Sequence, residues 1–144
     1  MLTTRAKNSY LVLFGAVLIL IDQTVKSLVY SGRFGGFLLA LRPVFSLEIF
    51  PNVNFAFSLK VPQFWAFLIY FILLCGLVGF FARTKNRSLK FELGFTLIIA
   101  GALSNIFDRV YLGFVRDFIY VFWGNIFNLA DVFIVAGILL MIFN

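Results

Sequence analysis

Apolar residues run in four long blocks along this chain, separated by shorter stretches where charges and turn-forming residues gather. The blocks extend roughly from Ser9 to Tyr30, Phe64 to Ala82, Phe91 to Phe107 and Phe127 to Phe143. Each is near the ~17–25 residues that a helix needs to cross the hydrocarbon core of a bilayer, so the pattern predicts four transmembrane helices. The first block follows Arg5 and Lys7, as the apolar part of a signal peptide does, yet no A-x-A-like cleavage site comes after it; a retained span is expected. The stretch from Ser31 to Gln63 is too long for a simple turn. Within it, Phe45 to Phe50 and Phe55 to Leu59 are β-capable runs parted by Pro51 and Asn52, which predicts a small strand pair.

Composition agrees with this pattern. Hydrophobic residues make up 62% of the 144 and charged residues only 12%, against about a quarter charged in soluble domains. A single integral membrane domain spanning residues 1–144 is expected. The net charge of +6 forms no long basic stripe. Contact with anionic phospholipid headgroups explains it better than nucleic acid does, and no nucleic-acid partner is expected. The chain has no histidine and one cysteine, Cys75, so Ser-His-Asp and Cys-His centres are excluded, as is an internal disulfide. The usual zinc ligands are missing as well.

Basic residues set the orientation. The short loop from Arg83 to Lys90 holds Arg83, Lys85, Arg87 and Lys90, and the N-terminus holds Arg5 and Lys7. An even number of spans puts both segments on one side, read as cytoplasmic, with both termini. The other side holds six scattered bases, Lys26, Arg33, Arg42, Lys60, Arg109 and Arg116, several beside an aspartate. Asp22 then falls in the outer half of the first span, Asp108 just past the outer end of the third, Asp117 in the outer connection and Asp131 in the first turn of the fourth. An ionisable side chain at bilayer depth costs ~2.5–3.5 kcal/mol even on lenient insertion scales and usually has a task. These are all the aspartates in the chain; Glu48 and Glu92 are the other acids.

Helical spacing lines these groups up. Gly94, Gly101, Asn105 and Asp108 share a face of the third span, with Ala100 and Ser104 beside it, a small-residue packing stripe ending in polar groups. Gly15, Asp22 and Lys26 repeat the design on the first span, and Asn128 and Asp131 share a face of the fourth. Lipid offers such stripes no partner, so they are expected to face one another. Taken singly, each has a structural explanation. Asp22 and Lys26 form an i,i+4 ion pair; Asp108 and Arg109 anchor a helix end; Asn128 and Asp131 cap a helix start; Asp117 beside Arg116 is a surface charge. Taken together, converging carboxylates cannot both ionise easily and come to share a proton, as in aspartic proteases. The competing chemistry is the proton relay of a proton-coupled transporter, and residue physics alone leaves both open, with a catalytically inactive membrane scaffold as a third reading.

Ordered motifs add a further reading. Asp22-Gln23-Thr24-Val25-Lys26 matches a D-Q-x-x-K element, and Asn52 to Phe57 resembles N-x-G-x-A-F. Gly101 to Arg109 matches G-A-x-x-N-x-x-D-R, Gly113 to Phe118 matches G-x-V-x-D-F, and Phe127 to Asp131 matches F-N-x-A-D. In this order and over this much of the chain, they resemble lipoprotein signal peptidase (signal peptidase II), a family of bacterial membrane aspartic peptidases. The resemblance implies four transmembrane helices with a small extracytoplasmic β element between helices 1 and 2, an all-α membrane fold. It implies that Asp117 and Asp131 are the catalytic dyad and that Asn52, Asn105, Arg109 and Asn128 bind substrate or orient the dyad. Asp22, Lys26 and Asp108 would be supporting. It also implies an endopeptidase of the bacterial cytoplasmic membrane, active at the outer face, that cuts diacylglyceryl-modified prolipoproteins just before the lipidated cysteine. No metal or cofactor is expected. Two residues depart from the family pattern: Asn54 stands where glycine is usual, and Arg116 where an apolar residue precedes the aspartate. Asparagine tolerates positive φ better than most residues, so the first departure bears on the fit to substrate.

Overall fold

The computed structural model describes residues 4–33, 45–53, 62–121 and 126–143. It contains four helices, α1 (Thr4–Tyr30), α2 (Gln63–Arg83), α3 (Leu89–Leu112) and α4 (Leu129–Ile142), and three strands, β1 (Phe45–Asn52), β2 (Val115–Val121) and β3 (Ile126–Phe127). Each apolar block of the sequence is helical, except that Phe127 at the start of the fourth belongs to β3 and Asn128 caps α4. Among the described residues, α1 from Ala6 to Tyr30 and α3 are long and apolar enough to cross a membrane; Phe67–Arg83 and α4 are shorter apolar helices.

The surface of these helices is largely apolar, and the interior holds polar and charged groups beside its apolar ones. Val12, Leu20, Phe71 and Ile138 are exposed, whereas the largest fully buried side chains are Lys26, Asn128, Asp22, Asp108 and Ser104. This inverts the rule for water-soluble proteins and fits a protein whose outer solvent is lipid.

Local signals explain the helix ends. Ser88 caps α3 by accepting from the Phe91 amide, and Gly113 ends it in the left-handed region at φ 81°. Nothing in the sequence stops α3 before Gly113. The expectation that Asp108 lies just past the third span is therefore corrected: it sits inside the helix, a turn before its end. Asn128 and Asp131 form a reciprocal capping box at the start of α4.

α3 and α4 approach each other along a seam of small residues. A Cβ added to Gly101 would run into the Ala130 carbonyl, and one added to Gly94 would lie 2.7 Å from the Gly137 carbonyl. This close approach brings the polar end of α3 against the first turn of α4.

The sheet corrects a second expectation. Its order is β1-β2-β3, all antiparallel, so β1 pairs with a strand from the α3–α4 connection. The β element is thus not confined to the link between helices 1 and 2. Pro51 and Asn52, read as a break, belong to β1, while the Phe55–Leu59 run, Asn54, Arg42 and Lys60 lie outside the described residues. Asp117, expected in a plain connection, is in β2, within a run of β-branched and aromatic residues suited to a strand. Leu47 faces Ile119 while Phe50 faces Asp117, so β1 carries one extra residue beside Asp117, and such bulges re-aim side chains. Val29 of α1 packs with Phe118 and Ile119 of β2, joined by Val25, Leu47 and Leu129. That core fixes the sheet to the same end of α1 that carries Asp22 and Lys26.

Candidate active site

Three helices and the sheet deliver polar groups to one end of the bundle. Lys26 Nζ lies 2.7 Å from Asp22 Oδ2 and 3.1 Å from Asp108 Oδ2, and none of these three side chains has any exposure. Ser104 Oγ donates to Asp22 Oδ2 at 2.6 Å, and the Ala130 amide donates to Asp22 Oδ1 at 2.9 Å. Asp22 thus ties α1 to α3 and to the first turn of α4. Two buried carboxylates against one buried ammonium leave negative charge over, and Arg116 meets it. Its Nη2 is 2.7 Å from Asp108 Oδ1, and its backbone amide donates to Asp108 Oδ2 at 3.1 Å.

The Arg116 guanidinium also donates to Gln23 and Ser27 of α1. Arg116 therefore does not pair with its neighbour Asp117; it pins β2 onto α1 and α3. The proposed Asp108–Arg109 anchor is also corrected. Asp108 is taken up by Lys26 and Arg116, whereas Arg109 lies over the Tyr70 ring at 4.9 Å and donates to the Asn105 carbonyl at 3.5 Å.

From this cluster two asparagines lead to Asp117 and Asp131. Asn105 Oδ1 accepts from Lys26 Nζ at 3.0 Å and from Asn128 Nδ2 at 3.2 Å, while its Nδ2 donates to Asp131 Oδ1 at 2.8 Å. Asn128 Nδ2 donates to Asp117 Oδ1 at 2.6 Å, and its Oδ1 accepts from the Asp131 amide at 3.0 Å. Asn52 Nδ2 of β1 donates to Asp117 Oδ2 at 2.8 Å, and the Asn128 amide donates to Asp131 Oδ2 at 3.2 Å. Each of the four oxygens of Asp117 and Asp131 thus accepts from an amide. Such a frame holds two carboxylates in a set orientation and leaves lone pairs for a proton or a water.

Asp117 is almost wholly buried. Burial pushes its carboxyl up to about 6, and the charge of Asp131 adds to this; hydrogen bonds from Asn52 and Asn128 and the Lys26 charge oppose it. Asp131 is partly exposed and caps the start of α4. Two carboxyls held in one amide frame, with Asp117 pushed up by burial, are the kind of pair that aspartic hydrolysis uses.

The four aspartates, Lys26, Asn52, Asn105 and Asn128 are thus joined in one hydrogen-bonded system, with Arg109 at its edge. Sequence reasoning assigned no role to Gln23 or Tyr70. Gln23 donates to Ser104 and Asp108 and accepts from Arg116. A glutamine next to Asp22 in an apolar helix was a signal for it. Tyr70 had none, being one aromatic ring in a block rich in them.

Comparison with known proteins bears on this site. The family model described as signal peptidase (SPase) II matches residues 14–144. The lipoprotein signal peptidase of Clostridioides difficile (strain 630) is 40% identical over 96 residues, which are 65% of this chain and 65% of that protein. That of Streptococcus thermophilus (strain CNRZ 1066) is 36% identical over 129 residues, covering 87% of this chain and 84% of its own. The fold is similar to that of a solved bacterial membrane enzyme, with a TM-score of 0.79 and 25% identity over 94% of this chain and 86% of the other. A family match over nearly the whole length, on a chain whose buried groups are carboxylates and amides, leaves one assignment: this protein belongs to the signal peptidase II family of membrane peptidases.

Proposed function

We propose that Asp117 and Asp131 are the catalytic pair with which this peptidase removes the signal peptide from diacylglyceryl-modified prolipoproteins, cutting just before the lipidated cysteine. The observation that carries the assignment is the amide frame: Asn128 bonds both aspartates, Asn52 and Asn105 hold one each, and no other pair of carboxylates among the described residues is held in this way. Asp131, partly exposed, is the ionised member and takes a proton from water as the water oxygen attacks the scissile carbonyl. Asp117 supplies the shared proton to the developing oxyanion. As the tetrahedral intermediate collapses and the C–N bond breaks, Asp117 takes back a proton from the intermediate's hydroxyl and the proton held by Asp131 passes to the leaving amine, so Asp117 is again protonated and Asp131 ionised. Arg109 and Asn52, at the rim of the pair, hold the peptide backbone. The pair itself needs no metal.

All four helices cross the bilayer in this reading, as one peptidase domain over residues 1–144, with both termini in the cytoplasm. The support is the loop from Arg83 to Lys90, whose positive charges mark a cytoplasmic side and lie at the opposite end of α3 from Asp108. The site then opens at the outer face of the cytoplasmic membrane, among phospholipid headgroups. There the diacylglyceryl chains of the substrate stay in the bilayer while its peptide bond meets water.

The test is cleavage of a lipidated prolipoprotein by the purified protein beside Asp117→Asn and Asp131→Asn. Cleavage by wild type alone, with both variants folded, is the expected result. Cleavage that survives either substitution moves the catalytic role to other aspartates, and a folded wild type that cleaves nothing returns the transporter and scaffold readings.

A further inference from the structure

Lys26 is a costly residue to keep where it is. It has no exposure and lies inside a protein whose outer solvent is lipid. An ion pair alone would be served by its two carboxylates. Its ammonium makes a third contact, to Asn105 Oδ1, and this one leads away from the ion cluster toward the catalytic pair.

That contact, with the Asn128 donor on the same oxygen, sets which way the Asn105 amide faces. An ammonium only donates, so the Asn105 oxygen turns to it and the Asn105 nitrogen is left to face Asp131. The same oxygen accepts from Asn128 Nδ2, which also donates to Asp117. One buried charge thus backs the Asn105 amide, which bonds Asp131 and accepts from the amide that bonds Asp117, while the Asn128 oxygen is held by the Asp131 amide. With Lys26 removed, the Asn105 amide keeps its Asn128 and Asp131 contacts but loses the charge that polarises it, so its hold on Asp131 weakens.

We infer that Lys26 is a positioning residue for catalysis, which through Asn105 and Asn128 orients the catalytic pair and sets the pH range in which the pair holds a single proton. The inference rests on the assignment of Asp117 and Asp131 as that pair. Other charged or titratable groups face the pair from each element around it. α1 brings Asp22 and Tyr30, whose hydroxyl donates to the Asp117 carbonyl at 3.4 Å. α3 brings Asp108 and Arg109, β2 brings Arg116, and α2 brings Tyr70 beneath Arg109. Lys26 differs from Arg116 in its position, since Arg116 ends on Asp108 and α1. Lys26 donates directly to the side-chain amide that bonds Asp131.

The experiment measures kcat and KM for a lipidated prolipoprotein against pH for wild type, Lys26→Met, Asp22→Asn and the double variant Asp22→Asn/Lys26→Met. Asp117→Asn and Asp131→Asn are included, and folding is checked by thermal melting. Loss of a nearby positive charge favours protonated carboxyls, so both limbs of the profile move to higher pH, by ~0.5–1 unit for a charge screened by one intervening amide. The maximal kcat falls about tenfold and KM changes little, because Lys26 touches no substrate. The double variant answers for the case in which Lys26→Met alone does not fold, since it removes the pair of opposite charges together. Its profile is compared with that of Asp22→Asn. Asn105→Leu cuts the same link and leaves the ion cluster whole; it lowers kcat and displaces the profile in the same direction.

Folded Lys26 variants that keep the wild-type profile and lose only stability overturn the inference, and so does an unchanged profile for Asn105→Leu. Activity in Asp117→Asn or Asp131→Asn overturns instead the assignment of the pair, so the two failures are distinct.

Discussion

α3 carries an acidic residue near each end, and the two are held in different ways. Near its C-terminus, Asp108 is fully buried between Lys26, itself without exposure, and Arg116. In its first turn, Glu92 is also buried, but its partners reach in from the surface: Lys7 at 2.7 Å, 37% exposed, and Arg87 at 3.9 Å, 32% exposed. Arg87 also lies over the Phe81 ring at 4.0 Å and donates to the Phe81 carbonyl, so it has another place to rest. The first cluster is closed and passes through Asn105 into the amide frame around Asp117 and Asp131. The second is open and leads to nothing further. Burial of an acid therefore says little about its importance; what matters is whether its partners have anywhere else to go.

Removing Asp108 should break the comparison most sharply. Asp108→Ala leaves Lys26 with Asp22 alone and strips Arg116 of its carboxylate. Breaking a buried pair from one side costs ~3–5 kcal/mol. The expected outcome is a protein that accumulates poorly and melts far below wild type, and that has lost cleavage with it. A variant that melts like wild type would show that the closed cluster is no more costly to open than the other.

Second in size is the seam that holds α3 and α4 together. Gly101→Ala places a methyl group against the Ala130 carbonyl and within 2.8 Å of Ile134. Overpacking of this kind costs ~1–3 kcal/mol. Asn105 is one turn beyond Gly101 and Asp131 follows Ala130, so the separation occurs where the two helices share the frame. Cleavage by Gly101→Ala is expected to fall by more than its loss of melting temperature accounts for. Gly76→Ala, with nothing near its added Cβ, serves as the control and should change neither.

A smaller effect separates Asp117 from the rest by pH. Its carboxyl is pushed from the ordinary 3.8 to about 6, chiefly by burial. The folded state then binds this proton more tightly than the unfolded chain does, so the stability it contributes is full below the ordinary value and is lost as pH rises through about 6. Asp117→Asn has no such proton. The melting temperature of the variant minus that of wild type should therefore become more positive as pH rises from 3.8 to about 6, and level off beyond. A constant difference across that window would mean that Asp117 has an ordinary carboxyl in the folded protein.

The sequence made these elements legible to different degrees, according to how local each one is. The four helices follow from apolar runs, and the capping box at Asn128 and Asp131 from residues three apart. The Asp22–Lys26 pair follows from one turn of helix, and the stripe from Gly94 to Asp108 from helical period. The sheet was misread because its principal pairing joins Asn52 to Val115 and Phe50 to Asp117, across α2 and α3, and nothing in either segment alone specifies the other. Arg116 and Arg109 were misplaced for the same reason. Sequence neighbours suggested Asp117 and Asp108 as their partners, but alternation along a strand and the turn of a helix send the side chains elsewhere. Convergence of the aspartates was predicted from the absence of any partner in lipid. Which two of them share the amide frame was not, and only the motif resemblance ranked Asp117 above Asp108.

The smallest expected effect lies in the open cluster. Glu92→Gln removes the charge but keeps the shape of the side chain. Lys7 and Arg87, each about a third exposed, turn toward water or anionic headgroups at little cost, as cations at such a boundary do. Pairs with exposed partners are worth ~0–1 kcal/mol. The neutral side chain is also easier to bury than the carboxylate it replaces, which offsets part of even that loss. Glu92→Gln should therefore melt within a few degrees of wild type and cleave at the wild-type rate, with an unchanged pH profile. A large loss of cleavage would mean that the N-terminal end of α3 is coupled to the catalytic end along the helix. In that case the two clusters work as one system, despite the absence of any polar link between them among the described residues.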